Sequence, residues 1–274
     1  MATELRRTLR ADTRQALALP FWLAVLGSGL CIVLDTVQDM RFALLGPREI
    51  VAQTGYCIQY FYFHSLVFGG VFCGYLLSIL AAIPYAASYS RELQWRVMLY
   101  ALPRSGRKNY YRSKLLVTVL SGGLAVSLGL LFIFLLLGLR LPITNEMNLF
   151  ELQDMPYAGY LAIHGGLPYL AIVVYLLFLQ GMLWAGFGLC VSAFLPNPYL
   201  AICSPMMLQF TLVELGRLLH LPMEHRLDLL LCGRAALGSD ELTLCLLTLL
   251  VLSAVIVFGW VFSWRCERRL HNAS

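Results

Sequence analysis

Six long apolar runs, divided by short polar segments, limit how this chain of 274 residues can fold. Each run approaches the roughly 20 residues that a helix needs to cross a bilayer. Charged residues make up 13% of the chain, whereas soluble domains carry about 25%. The pattern predicts an all-α polytopic membrane protein, with one transmembrane domain over residues 1–274 and no room for a soluble catalytic domain. The predicted spans cover residues 19–34, 65–87, 115–139, 167–194, 199–215 and 242–262.

The N-terminal segment, residues 1–17, has a helical pattern that separates Leu5, Leu9 and Ala16 from its arginines. This separation is typical of an amphipathic helix that lies on the membrane surface. The apolar run that follows lacks the short core and A-x-A site of a signal peptide, so it is interpreted as an uncleaved first span.

The segment 216–241 is half apolar, with leucines at helical spacing, but Pro222 and Gly233 interrupt it. It is too interrupted to span a bilayer and too apolar for an open loop. A pair of re-entrant or interfacial helices between spans five and six, on the outer side, fits this composition.

A strongly basic segment, residues 88–114, separates the second and third spans. It holds seven of the 20 Lys and Arg residues and one acid, Glu92. We predict a short amphipathic helix with Leu93, Val97, Leu99 and Tyr100 on its apolar face, a break at Leu102-Pro103, and a basic turn that leads into span three. The seven cations are Arg91, Arg96, Arg104, Arg107, Lys108, Arg112 and Lys114.

The distribution of charge predicts the orientation of the spans. If both termini and the basic segment are cytoplasmic, the inner segments carry fourteen Lys and Arg and the outer loops carry six. The 15 acids divide the other way, with four inside and eleven outside. This distribution follows the positive-inside rule and requires an even number of spans.

Sequence motifs give little support to catalysis by the chain itself. There is no GxxxxGK[ST], HExxH or GxSxG, and only two lysines exist, Lys108 and Lys114. The spans lack the paired acids that ion-coupled carriers or an intramembrane enzyme would need, so any pathway suits an amphiphile. His220 and His225 lie near Glu224 and Asp228, but solvated residues on an amphipathic face are commoner than a metal site. We therefore expect no catalytic residue, no metal site and no nucleic-acid partner.

Two further groups of residues are left with alternatives. Tyr60, Phe61 and Phe63 open the second span as an interfacial aromatic belt or, less simply, as part of a substrate pathway. Cys57 and Cys232 fall in predicted outer loops, where they would be free thiols or a disulfide.

The basic segment resembles that of the permease subunits of type-2 ATP-binding-cassette (ABC) exporters. That family has a Glu at the inner end of the second span, then a short coupling helix, an L-P-x-S/T-R-like turn, and a Lys opening the third span. The order of elements also matches, from a surface N-terminal helix to an outer re-entrant pair before the last span. The matching residues are Glu92, Leu102, Pro103, Arg104, Ser105 and Lys114.

The resemblance implies a permease in a bacterial plasma membrane, paired with a second copy or a sister permease. A separate ATPase subunit would bind ATP and Mg, and its movement would drive export of an amphiphile such as a peptide antibiotic, drug or lipid. The alternative is a non-transporting assembly or sensory protein that recruits a cytoplasmic partner through residues 88–114. The residues expected to contact the ATPase are Arg91, Glu92, Arg96, Leu102, Pro103, Arg104, Ser105 and Arg107.

Overall fold

A computed structural model describes residues 2–47, 50–51, 54–67, 70–95, 97, 100, 102, 106–145, 155–161 and 166–271. The regular secondary structure of these residues is helical throughout, as predicted. The helices are α1 (Ala2–Ala16), α2 (Leu19–Asp35), α3 (Val37–Leu45), α4 (Ile58–Tyr62), α5 (Val71–Ala82), α6 (Ser88–Gln94), α7 (Arg107–Gly138), α8 (Leu167–Phe194), α9 (Pro198–Leu218), α10 (Leu227–Leu231) and α11 (Asp240–His271).

Four of these helices, α7, α8, α9 and α11, are long and apolar enough to cross a membrane. Two bent pairs raise the number to as many as six. One pair joins α1 to α2 at 52°, and the other joins residues 58–67 to α5 at 81°. The helical bounds of α8 coincide with those of predicted span four, whereas α7 begins eight residues before predicted span three.

The second predicted span is not one continuous helix over residues 65–87. After α4 the chain forms a π-helical turn over Phe63–Val67, and α5 starts only at Val71. The carboxylate of Asp35, at the end of α2, accepts hydrogen bonds from the backbone N–H groups of Phe72 (3.0 Å) and Cys73 (2.7 Å). An acid from another helix therefore caps α5 and leaves it only 12 residues long, or about 18 Å.

Close contact between glycines sets the centre of the bundle. A Cβ on Gly122 of α7 would lie 2.3 Å from the Cβ of Ala185 in α8 and 2.6 Å from the carbonyl oxygen of Ala81 in α5. Gly181 of α8 lies against the same point, because a Cβ there would come within 2.7 Å of the Gly122 carbonyl oxygen. The backbones of α5, α7 and α8 thus approach one another closely because α7 and α8 have glycine at this point.

The outer helices expose apolar faces. Only 11% of the most apolar stretch of α11 and 22% of that of α9 is buried, compared with 61% for α8. Exposed side chains on these faces include Met207, Phe210, Ile256 and Trp260. Such faces suit lipid or another apolar surface better than water.

The N-terminal helix α1 packs on the bundle through the apolar face that the sequence predicts. Ala16 is buried and Leu9 is half-buried, and both contact a small apolar cluster with Tyr85 and Val117. The arginines of α1 point away from this cluster and are exposed at positions 6, 7, 10 and 14. The helix is thus fixed to the start of α7.

The segment 216–241 holds shorter elements than the predicted helix pair. It contains the end of α9, a 3-10 turn over Met223–His225, and the five residues of α10. Gly233, with φ of 76°, turns the chain towards α11. The proline and the glycine therefore limit the two elements between α9 and α11 to about one turn each.

Candidate functional site: a buried charge cluster beneath an exposed basic segment

The short helix in the basic segment forms, but it ends earlier than predicted. It spans Ser88–Gln94 and buries Ser88, Tyr89 and Ser90 rather than an apolar face extending to Tyr100. Val97 and Tyr100, predicted to line that face, are exposed in the chain, and Trp95 beside them is 78% exposed. These three side chains therefore point to solvent, whereas Leu99 of the predicted face lies outside the described residues.

Beneath α6 lies a fully buried lysine. Lys114, on the first turns of α7, has no solvent exposure, and its Nζ atom forms an ion pair with Glu92 of α6. The same Nζ lies 3.2 Å from the carboxylate of Asp12 in α1 and donates a hydrogen bond of 2.6 Å to the hydroxyl of Tyr85. One cation thus joins three separate parts of the chain to α7.

Hydroxyl groups satisfy the remaining acceptors of the two carboxylates. Tyr85 donates to Asp12 at 2.6 Å, Ser113 donates to the other oxygen of Asp12, and Tyr110 donates to Glu92. The rings of Tyr85 and Tyr110 also face the ammonium, with centroids 4.5 and 5.6 Å from Nζ. We call Asp12, Tyr85, Glu92, Tyr110, Ser113 and Lys114 the Lys114 cluster.

The electrostatics of the Lys114 cluster are those of a structural joint rather than a reactive centre. Two carboxylates face one ammonium, and a buried charge is tolerated only when it is paired and hydrogen-bonded. Burial, followed by the charge of Asp12, raises the pKa of Tyr85 far above its ordinary value, so its hydroxyl stays a donor. The cluster binds α1, the turn after α5, α6 and α7 at one place.

The exposed surface above the cluster is basic and partly aromatic. Arg91, Arg107, Lys108 and Arg112 are all exposed. We call Trp95, Val97 and Tyr100, which lie between these cations along the chain, the exposed patch. Aromatic residues flanked by cations are typical of a protein-binding surface that meets an acidic partner.

Leu102 anchors the segment below this surface. It is buried in an apolar cluster that includes Tyr89, Tyr111, Phe262 and Cys266. The carbonyl of Leu102 also accepts a hydrogen bond of 3.0 Å from the N–H of Gly106, whose φ is 74°. Four other residues expected to contact the ATPase, Arg96, Pro103, Arg104 and Ser105, lie outside the described residues.

The aromatic residues proposed for a substrate pathway lie inside the protein. Phe61 and Phe63 are buried in the main core, and Phe63 stacks on Tyr169 with ring centroids 6.0 Å apart. Tyr60 is half-buried and donates a hydrogen bond of 3.1 Å to Asp39. In this conformation they pack the bundle, and a role in a pathway stays a prediction.

The cysteines and histidines outside this site do not form a cluster in the described part of the chain. Cys57 and Cys232 do not form a disulfide with each other. His220 and His225 are exposed, and no group of three or more His, Cys, Asp or Glu side chains among the described residues could hold a metal ion.

Sequence reasoning found Glu92 and Lys114 but missed their partners. Asp12, Tyr85, Tyr110 and Ser113 had no local pattern, because their role depends on long-range packing. The signal that could have led to them was a lysine at the start of an apolar span, since a buried ammonium requires carboxylates nearby.

Comparison with protein-family models, with curated proteins and with solved structures finds no match for this chain. The site is therefore interpreted from its own geometry.

Proposed function

We propose that this chain is the transmembrane permease subunit of an ABC exporter, and that a separate ATPase subunit docks on the basic segment. The observation that carries the proposal is the Lys114 cluster, in which Glu92 of the short surface helix pairs with a buried lysine of α7. A surface helix that is tied by charge to a long apolar helix can pass a movement into the bundle. ATP and Mg would belong to the ATPase subunit.

The proposed topology has six spans, with both termini, the basic segment and the N-terminal helix on the cytoplasmic side of a bacterial plasma membrane. The positive-inside distribution supports this orientation. It takes α2 as the first span, with α1 bent away from it at the cytoplasmic surface, counts residues 58–82 as one span, and treats residues 216–241 as an outer segment near the membrane surface.

Movement would pass through the bundle in two steps. Closure of the ATPase pair would shift α6, and the Lys114 cluster would carry that shift to α7. Because Gly122 of α7 and Gly181 of α8 are in close contact, the two helices would move together. The exposed apolar faces of α9 and α11 would meet lipid and a second permease, either another copy or a sister chain.

Residues 88–114 would also serve the alternative function, recruitment of a cytoplasmic protein without transport. The two functions differ in their nucleotide chemistry, because only a permease is tied to ATP hydrolysis. The expected cargo is an amphiphile, since the helices offer apolar surface and few charges.

The test is purification of the tagged chain from its native membrane, followed by measurement of ATP hydrolysis in the eluate. The ATPase activity that co-purifies with the double variant Trp95→Ala, Tyr100→Ala should be at least tenfold lower than that with the parent chain. Trp22→Ala, which removes an exposed aromatic ring from α2, is the matched control and should retain it. If no ATPase activity co-purifies with the parent chain, the permease function is overturned and recruitment of a cytoplasmic protein is the function that stands.

A further inference from the structure

A second polar site lies at the opposite end of the bundle from the Lys114 cluster. It is a half-open cavity of about 320 Å³ between α5, α8, α9 and residues 226–234. Gln94 of α6 donates a hydrogen bond of 2.9 Å to the carbonyl of Pro196, just before α9 begins, which places the start of α9 near the basic segment. Val213 and Arg217, near the opposite end of α9, line the cavity, so the cavity lies at the end of the bundle away from the basic segment.

Two buried glutamines line this cavity with unused acceptors. Gln180 and Gln209 are 6% and 7% exposed, and the Oε1 atoms of both lack a hydrogen-bond partner. The Nε2 group of Gln209 donates to the carbonyl of Gly74, which fixes the direction of its amide. Buried polar atoms in proteins almost always have a partner, so these two oxygens require donors from a bound molecule or water.

Arginines supply the charge of the cavity. Arg226 is neutralised by Asp228 through an ion pair of 2.7 Å. Arg217 lies 3.2 Å from Glu214. Arg234 forms no ion pair within the described part of the chain, although it lines the same cavity. Asp35 is nearby, but its oxygens accept from the amides at the start of α5.

Part of the cavity wall is apolar. Leu66, Val67 and Val213 belong to this part, and so does Val71, which is 67% exposed. The site thus offers a guanidinium without an ion pair among the described residues, two carbonyl oxygens that need donors, and an apolar section of wall. Its volume lies at the lower end of the range of about 300–1,000 Å³ for small-molecule sites.

We propose that this cavity binds a phosphate ester that also carries amine or hydroxyl donors, such as the headgroup of phosphatidylethanolamine. Arg234 holds the phosphate, because a guanidinium matches the geometry of phosphate oxygens. The ammonium donates to the Oε1 atoms of Gln180 and Gln209, and the first acyl carbons lie along the apolar section of the wall. Binding requires no ATPase, so the proposal stands apart from the permease function.

The experiment measures binding to the full chain, purified in detergent, by isothermal titration. The probes are short-chain phosphatidylethanolamine, short-chain phosphatidylcholine and free glycerophosphoethanolamine. We expect phosphatidylethanolamine to bind at least tenfold more tightly than phosphatidylcholine, whose trimethylammonium group has no N–H donor. If the free ester binds as tightly as the lipid, the headgroup chemistry holds and the source is a soluble ester. Equal binding of the two lipids would overturn the proposal.

Variants connect the binding to the cavity. Arg234→Gln and, separately, Gln180→Leu should each weaken binding of phosphatidylethanolamine at least tenfold. Arg41→Gln, at an exposed arginine of α3 outside the cavity, is the matched control and should leave it unchanged. Because Arg234 is only partly buried, its variant stays informative even if Gln180→Leu fails to fold. Unchanged binding by folded Arg234→Gln protein would overturn the assignment.

Discussion

A single ammonium holds four parts of the chain together at the residue scale. Lys114 has no exposure to solvent, and its partners come from α1, α6 and the turn after α5. A buried ion pair is weak support for stability as a whole, but loss of one partner is costly because the other charge stays buried. The cluster is therefore a sensitive place for substitution.

Replacing Lys114 should destabilise the protein strongly. Lys114→Met keeps much of the side-chain volume but leaves the carboxylates of Asp12 and Glu92 without a cation, at a cost of about 3–5 kcal/mol. Thermal unfolding of the detergent-purified chain measures the loss. Lys108→Met, at an exposed position in the same helix, is the control and should change stability by less than about 0.5 kcal/mol.

A second change should show whether the cost comes from unpaired charge. The double variant Lys114→Met, Glu92→Gln removes one orphaned carboxylate, so it should recover part of the stability lost in Lys114→Met. If the two losses simply added, the ion pair would have no special energetic role.

Cys232 offers a pH-dependent prediction at the same scale. Burial raises the pKa of its thiol from 9.0 to about 11, so at neutral pH its thiolate fraction is about a hundredfold smaller than that of an ordinary thiol. In a chain that keeps only Cys232, maleimide labelling should be slow at pH 7 and should rise with pH until about pH 11. Labelling that levels off near pH 9 would contradict the raised pKa.

At the scale of elements, the packing of α7 against α8 depends on close backbone contact at glycines. Gly122 lies where a Cβ would meet both Ala185 and the backbone of α5, whereas nothing lies within 4 Å of a Cβ on Gly74. Adding a side chain should therefore destabilise the protein at Gly122 but not at Gly74, although both glycines lie in apolar helices. A Cβ on Gly70, just before α5, would lie 2.3 Å from the Asp35 carboxylate that caps this helix.

A pair of alanine substitutions tests this difference. Gly122→Ala should destabilise the protein by about 1–3 kcal/mol, because the backbone of two helices must shift to accept the methyl group. Gly74→Ala should be neutral or stabilise by up to about 1 kcal/mol, since alanine favours a helix over glycine. Unfolding midpoints of the two variants, measured in the same detergent, decide the comparison. Similar midpoints would contradict the packing at Gly122.

The sequence predicts α8 well because its limits are local. An apolar run begins after Gly166, with Pro168 in the first helical turn, and ends at Leu195-Pro196, and the helix has the predicted bounds. The break before α5 was missed because its cap, Asp35, belongs to another helix. The same applies to the Lys114 cluster, whose two motif residues were found while Asp12 and Tyr85, distant in sequence, were not. The local sequence pattern predicts the helices, whereas the polar contacts between helices depend on tertiary packing.

At the scale of the whole molecule, the two polar sites lie at opposite ends of an apolar bundle. The Lys114 cluster and the exposed cations lie at one end, and the arginine-lined cavity lies at the other. Between them, the described parts of α7 and α8 pack through glycines and apolar side chains. A bundle of this kind has two chemically distinct ends, and the proposed function requires that the basic end face the cytoplasm.

The orientation can be tested with one cysteine at each end. In a chain whose native cysteines are replaced by serine or alanine, Lys108→Cys lies at an exposed position of the basic segment, and Ser239→Cys lies at an exposed position before α11. A membrane-impermeant maleimide added to intact cells should label Ser239→Cys and should label Lys108→Cys only after the cells are broken, because the positive-inside rule places the basic segment within. Equal labelling of both sites after lysis is the control for reactivity. Labelling of Lys108→Cys in intact cells would place the basic segment outside, where no ATPase could bind it, and would remove the permease function while leaving the cavity for phosphate esters untouched.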